Sequence, residues 1–283
     1  MNTQPYIRGE PKIKDFPLNA FLPPYRASVV QSWLKTQSHR SGLVLCPFGI
    51  SPQVALEAAR AGYQVLLPLH NPILRFLIQH LAHPPSEEVL NTALARLAST
   101  YRGKERLKPY LLSLYQTDCP QCGNSTPAIS FIWSKLSKAP VRKTCRCIDC
   151  GEETEGIVNA EDLEKANLFQ ENSPTHARAL TRVAAPDDPI RFQVESALRA
   201  YPSRSVYALF NVLNKITGLD LTPEEESHLE ILLLNAFYRC SQPLHPSLST
   251  AEKNDKNEEF FREENVWYAL ENALDIWSGD EQE

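Results

Sequence analysis

Two short cysteine pairs constrain this chain more than anything else in it: C-P-Q-C-G at 119–123 and C-I-D-C-G at 147–151. A two-residue spacer lets both thiolates of a pair reach one ion, and the following glycine permits the tight turn of a knuckle. Twenty-four residues separate the pairs, enough for a hairpin between them. Cys119, Cys122, Cys147 and Cys150 are therefore expected to gather around one zinc ion. Four thiolates close a tetrahedral shell and leave no position for water, so such a site is structural rather than catalytic. A redox C-x-x-C is the competing reading, against which stand the two glycine-bearing knuckles. Cys145 lies two residues before Cys147 and, in a strand, points to the same side; it is a competing ligand or a neighbouring free thiol. Cys46 and Cys240 read as small buried hydrophobes.

Seven cysteines are an odd number, and the N-terminal stretch M-N-T-Q-P-Y-I-R-G-E-P has no apolar leader core. A disulfide framework is not expected, and a cytoplasmic location is. No run of eighteen apolar residues occurs, so no membrane span and no membrane partner are expected.

The rest of the chain divides by pattern. Residues 1–24 are Pro-rich and read as an extended arm. Val29, Val30, Trp33 and Leu34 are spaced as on a helix over 26–38. G-L-V-L-C-P-F at 42–48 reads as a buried parallel strand. P-Q-V-A-L-E-A-A-R-A-G at 52–62 reads as a helix opened by Pro52 and stopped at Gly62, with Glu57 on its exposed surface. A second strand follows at 63–69, then a helix over 71–82 capped by Asn71. This strand–helix–strand–helix order is how a doubly wound α/β sheet begins. Residues 86–115 suggest one or two helices broken near Gly103 and Pro109, and 117–158 a small antiparallel unit. Helices are expected at 188–200, 203–217, 223–240 (with Thr222 as cap) and 258–277. The resulting segments are α/β over 1–116, the cysteine unit over 117–158, a helical region over 159–241, a polar linker over 242–257 and an acidic C-terminal helix over 258–283. That helix is expected to bury Val266, Trp267, Leu270, Leu274 and Trp277 against this domain or a partner chain.

Charge is unevenly spread. The net charge is −5, yet residues 101–150 hold nine Lys or Arg against three acids, and residues 251–283 hold eleven acids against three bases. Lys135, Lys138, Arg142, Lys143 and Arg146 lie between or beside the knuckles, with Phe131 and Trp133 among them. Cations interleaved with aromatic rings suit phosphate contact and base stacking, although solvated hairpin edges carry lysine as well.

The stretch L-V-L-C-P-F-G-I-S-P-Q-V-A-L-E-A-A-R-A-G-Y-Q-V-L-L-P-L-H-N-P at 43–72 resembles the class I S-adenosylmethionine-dependent methyltransferases. It is most similar to the DNA methylases that carry an inserted zinc ribbon. Members of that family usually read V-L-D-P-F-x-G-S-G-T, then E-A-A-x-x-G, then a strand ending in D-x-N-P. R-S-V-Y-A-L-F-N-V-L-N at 204–214 and N-V-W-Y-A-L-E at 265–271 also look familiar from that group, so the resemblance spans about 20–277. It implies a partial Rossmann-like methyltransferase sheet in an α/β fold, an inserted zinc ribbon and a mostly helical C-terminal region. By the same resemblance, Phe48, Gly49, Ser51 and Asn71 are the positions that face S-adenosylmethionine.

The departures from that pattern matter as much. The family's first acid aligns with Cys46, its glycines with Ile50 and Pro52, and its ribose-binding acid with Pro68. Pro52 removes an amide donor and Ile50 adds bulk where the cofactor must come close. Amino-group DNA methylases use a D-P-P-Y or N-P-P-Y loop to hold a flipped base. Here only L-P-P-Y at 22–25 and H-P-P-S at 83–86 occur, and both read as ordinary proline turns. In the family order the catalytic loop would follow about residue 280. The expectation is a methyltransferase-like protein without catalysis of its own, whose ribbon contacts DNA. The alternatives are one half of a split amino-group DNA methyltransferase, completed by a second chain, and a zinc-ribbon adaptor that binds protein only.

Overall fold

The computed structural model describes residues 6–10, 22, 25–37, 41–49, 51–169, 173–241 and 260–279. The linker expected over 242–257, Ile50, Pro23 and Pro24 lie outside them, as does most of the N-terminal arm. The chain is mixed α/β and divides into two compact units, residues 1–87 with 276–283 and residues 88–275. Residues 88–116, grouped by sequence with the first segment, thus fall with the second.

The first unit runs α1 (Val29–Lys35), β1 (Leu43–Leu45), α2 (Pro52–Arg60), β2 (Gln64–Leu66) and α3 (Pro72–Ala82). β1 and β2 pair in parallel, Val44 opposite Val65, with α2 as the crossover. Gly62, with φ +92°, ends α2, and Asn71 accepts the amides of Ile73 and Leu74 to start α3. β1 is not the buried strand that its apolar run suggests. Leu43 and Leu45 are 66% and 57% exposed, and Leu66 of β2 is 54% exposed. Parallel strands are ordinarily covered on both faces, and a pair three residues long among the described residues has too little around it to supply that cover. Glu57 departs from expectation in the other direction. It is buried, and its carboxylate accepts the amides of Ser28 (2.5 Å), Val30 (3.0 Å) and Gln31 (3.1 Å). Ser28 sits at the N-cap of α1 in the left-handed region and makes no side-chain cap. Glu57 supplies from α2 the acceptor that α1 lacks, a negative charge at a helix N-terminus.

The second unit is built on one sheet. Its strands β5 (Gln116–Asp118), β6 (Ser125–Ser134), β7 (Ala139–Arg146) and β8 (Glu153–Ile157) follow one another antiparallel, and β9 (Phe260–Glu264) joins the remaining edge of β6. β7 occupies one edge of β6, so β5 and β9 share the other: β5 lies along Ser125–Pro127 and β9 along Ser130–Ser134. Asn265 closes the gap, donating its backbone amide to the Ile129 carbonyl and its side-chain amide to the Ala128 carbonyl, both at 2.9 Å. Its Oδ1 then accepts the Trp267 amide and opens α11 (Val266–Trp277). The continuous helix expected over 258–277 is therefore a strand followed by a helix. Phe-Phe-Arg-Glu-Glu takes the strand form because it meets an open strand edge, which helical propensity cannot register.

Helices pack on this sheet. α4 (Glu87–Ser99) buries Leu90, Ala93, Leu94 and Leu97, at one-face helical spacing. The hairpin of β3 (Tyr101–Arg102) and β4 (Glu105–Arg106) follows, turning at Gly103 with φ +65°, and then α5 (Leu107–Ser113). Pro109 does not break α5; it lies in the first turn, where the missing amide has no intrahelical role. α6 (Ala160–Asn167), α7 (Pro174–Val183), α8 (Arg191–Leu198), α9 (Ser203–Thr217) and α10 (Pro223–Cys240) make up the helical region expected over 159–241, the last three close to the individual helices that periodicity places there. Thr222 and Glu225 form the capping box of α10. Leu209, Val212, Leu229, Ile231, Leu232, Trp267 and Leu270 are buried together with Phe131 and Tyr115 of the sheet region. Among the described residues no helix is long and apolar enough to cross a membrane.

Candidate metal centre and basic cavity

The two cysteine knuckles occupy equivalent turns. The first joins β5 to β6, the second joins β7 to β8, and because β6 and β7 run antiparallel both turns lie at the same end of the sheet. In each, the glycine amide returns to the first cysteine's carbonyl at 2.9 Å, Gly123 to Cys119 and Gly151 to Cys147. The two glycines have φ +75° and +73°, a conformation costly for other residues. Asn124 donates to Asp149 at 2.8 Å and so ties one knuckle to the other. Pro120 lies against Gly156 of β8; a Cβ there would stand 2.5 Å from the Pro120 Cγ, so the missing side chain lets the first knuckle close.

The sulfurs of Cys119, Cys122, Cys147 and Cys150 all lie within 4.8 Å of one another. Cys119 to Cys150 and Cys122 to Cys147 are both 3.6 Å. A tetrahedron with metal–sulfur bonds of about 2.3 Å has sulfurs about 3.8 Å apart, so this cradle has the size for a metal such as zinc. The amides of Cys122 and Gln121 pull the Cys119 thiol down to about 6. The Cys122 sulfur first, and burial second, push Cys150 up. Four thiols this close cannot all ionise side by side unless a cation stands among them. Cys145 lies outside the quartet. It is buried in β7 opposite Ala128, and burial pushes its thiol up to about 11.

The five basic residues chosen from the sequence do not form one patch. Lys143 is buried, 3% exposed, and donates to Asp162 at 2.9 Å and to Thr117 at 2.7 Å. Asp162 also caps α6 through the Asn159 amide. Lys143 therefore holds β7 to α6 and is removed from any ligand-facing role. Arg146 is exposed and pairs with Glu153 on the neighbouring strand at 3.1 Å, and Arg142 is half-buried in β7. Phe131 is 1% exposed and cannot stack on a base. Only Lys135 and Lys138 stand together, at the β6–β7 turn. That turn is the far end of the hairpin from the cysteines, about 30 Å away for a ten-residue strand.

At that far end lies a cavity of about 330 Å³ lined by Lys135, Lys138, His176 and Arg199 together with the rings of Trp133, Phe169, Tyr201 and Phe261. No acidic residue is among the described residues lining it. Arg204, which lines it, belongs to a buried ion pair that the sequence did not reveal. Arg204 of α9 donates to Glu263 of β9 through Nε (2.8 Å) and Nη2 (2.6 Å), and to the Leu114 carbonyl at 3.2 Å. The guanidinium lies between the Tyr115 and Phe131 rings, 4.7 Å and 4.6 Å from their centroids. Trp133 donates its indole N–H to the same carboxylate at 2.7 Å and stacks on Phe261 at 5.8 Å. The one sequence signal was positional: Arg204 occupies the same buried helical face as Ala208 and Val212.

The positions assigned to S-adenosylmethionine by resemblance all lie in the first unit. Phe48 is 85% exposed. Gly49 has φ +48°, and a Cβ there would meet the Pro68 carbonyl at 2.9 Å. Ser51 is buried at the start of α2, and Asn71 caps α3.

Fold and site together define a mixed α/β chain whose central sheet carries a four-cysteine cradle sized for a metal ion. No family model matches the chain, and no curated protein or solved structure matches it.

Proposed function

We propose that this chain is a methyltransferase-like, non-catalytic protein whose zinc-held sheet presents a nucleic-acid contact. Zinc is the metal best suited to four sulfurs at these distances, and its role is to fix the two turns that start the β6–β7 hairpin. The contact is the cavity at the other end of that hairpin. The observation that carries it is the meeting of Lys135, Lys138 and Arg199 with the rings of Trp133, Phe169 and Tyr201 around a space with no acid among its described lining. Cations attract phosphate, and half-buried rings lining a cavity can accept bases whatever their sequence. The cysteines take no part in binding. The loss of the glycine turn and of both acids at 43–72 supports a Rossmann-like first unit that does not turn over cofactor.

Titration of a fluorescent oligonucleotide with zinc-loaded protein tests this. Binding that falls steeply with salt, and that is lost in K135Q/K138Q while R146Q retains it, is expected. Salt-independent or absent binding returns the chain to the protein-adaptor reading.

The exposed Leu43, Leu45 and Leu66 of the parallel pair favour a second reading, in which another chain covers these strands and completes a split enzyme. Calorimetry with S-adenosylmethionine separates the two. No heat with the chain alone, but binding once the product of the neighbouring reading frame is added, favours the split enzyme.

A further inference from the structure

A second cavity, about 280 Å³, is lined by α7 and α9 and by Arg102 of the β3–β4 hairpin. Arg102, Arg178 and Lys215 line it, with Thr175, Tyr207 and Asn214, and no acidic residue is among its described lining. Three like charges around one space, with no acid among the described residues lining it, repel each other and favour an anion there. The polar groups are oriented to help. Arg182, one turn further along α7, donates to the Asn214 Oδ1 at 3.0 Å and to Thr217 at 2.9 Å, which leaves the Asn214 amide as a fixed donor. The Tyr110 and Tyr207 hydroxyls bond to each other, and Arg102 lies over the Tyr110 ring at 5.8 Å.

The two cavities adjoin. Phe169 lines the first and Tyr207 the second, and their rings touch with centroids 5.4 Å apart. α9 gives Ser203 and Arg204 to the first and Tyr207, Asn214 and Lys215 to the second, and α7 gives His176 to one and Arg178 to the other. From Ser203 to Lys215 the helix advances about 18 Å. That is a run of several nucleotides rather than one. Cations line both cavities, whereas the first has four aromatic rings, Trp133, Phe169, Tyr201 and Phe261, against Tyr207 and Phe210 in the second, which suits bases in the first and backbone along both.

We propose that the Arg102–Arg178–Lys215 cavity binds a phosphate of the same single nucleic-acid strand whose bases enter the Lys135–Lys138 cavity, so that α7 and α9 form a continuous single-strand track. This rests on the reading of the first cavity as a nucleic-acid contact. A duplex is excluded by form: its bases are stacked inward and cannot reach the rings of Trp133, Phe169 or Tyr201 without being flipped out.

The test uses full-length, zinc-loaded protein and fluorescence anisotropy. The probes are a single strand of about 12 nucleotides, within known single-strand site sizes, its duplex, and a nucleoside monophosphate as competitor. The variants are R178Q/K215Q and K135Q/K138Q, with R178Q alone as a second check because Arg178 is exposed where Lys215 is half-buried. R178Q/K215Q is expected to weaken the single strand about tenfold and to lower the salt slope by about 0.7, one phosphate contact's worth. Its affinity for the monophosphate should match wild type. Wild-type affinity and slope in both R178Q/K215Q and R178Q, with loss in K135Q/K138Q, would overturn the track and leave the first cavity's role standing. Duplex bound as tightly as single strand would also overturn it. Binding of no oligonucleotide at low salt removes the first cavity's role, and the track with it.

Discussion

The two units of this chain solve the same problem, holding short strands together, in opposite ways. In the first, β1 and β2 are three residues each, lie open on their leucine sides and depend on neighbouring helices, one of which borrows its cap from Glu57. In the second, every strand from β5 to β9 is fastened by something other than its ladder. Four cysteines gather two turns, Lys143 reaches Asp162, Arg204 reaches Glu263, and Asn265 bridges the junction of β5 and β9. The difference shows what burial alone can and cannot do. A small sheet with few covering residues gains little from apolar area, so order in it must come from specific links. The first unit has one such link among the features described above, and the second has several.

Removing links from the second unit should expose the comparison most strongly. With zinc in the cradle as proposed, chelation, or the substitution Cys122→Ser, is expected to release both knuckles, since structural zinc sites contribute on the order of 10 kcal/mol to folding. Hydrogen exchange across 117–157 should rise to the unprotected rate while 52–82 is unchanged. Unaltered protection in the zinc-free protein would mean that the sheet does not need its metal. Next comes Glu263→Gln, which leaves Arg204 buried without its full counter-charge; a loss of about 3–5 kcal/mol is expected from denaturant unfolding. A loss under about 1 kcal/mol would show that the Tyr115 and Phe131 rings hold the cation without help. Glu57→Gln in the first unit is a milder cut. A cap loss of about 1 kcal/mol is expected, seen as faster exchange of the Val30 and Gln31 amides. The smallest effect belongs to Leu43→Lys, expected within about 0.5 kcal/mol of wild type because the side chain already faces solvent. A larger loss there would show that something covers β1 in solution.

What could be read from the sequence was local. Knuckle spacing put four sulfurs at one point, Asn71 and Thr222 marked helix starts, and helical periodicity placed α9 and α10 at Ser203–Thr217 and Pro223–Cys240. What could not be read was decided by partners far along the chain. Glu57 looks like a solvated helix residue until α1 lies across it, 27 positions away. Lys143 belongs to a run of cations, but the strand's alternation and Asp162 take it into the core. Residues 260–264 carry a composition fit for a helix and become a strand because β6 has an edge to spare. Lys135 and Lys138 lie between the knuckles in sequence, whereas antiparallel geometry places their β6–β7 turn at the opposite end of the hairpin. The S-adenosylmethionine positions came from resemblance alone, and turn and cap geometry account for Gly49 and Asn71 without a ligand.

The seat of β9 along β6 carries a warning for anyone who would cut this molecule up. All four cysteines fit inside residues 117–158, which invites expression of that stretch as a minimal fragment. Such a fragment would keep the whole cradle yet leave the Ser130–Ser134 edge bare, and would strip Trp133 of its partners Glu263 and Phe261. Bare edges recruit copies of themselves, so the excised piece should clump even when fully metallated. The motif is contiguous along the polypeptide; the object it stabilises is sewn from pieces more than a hundred residues apart.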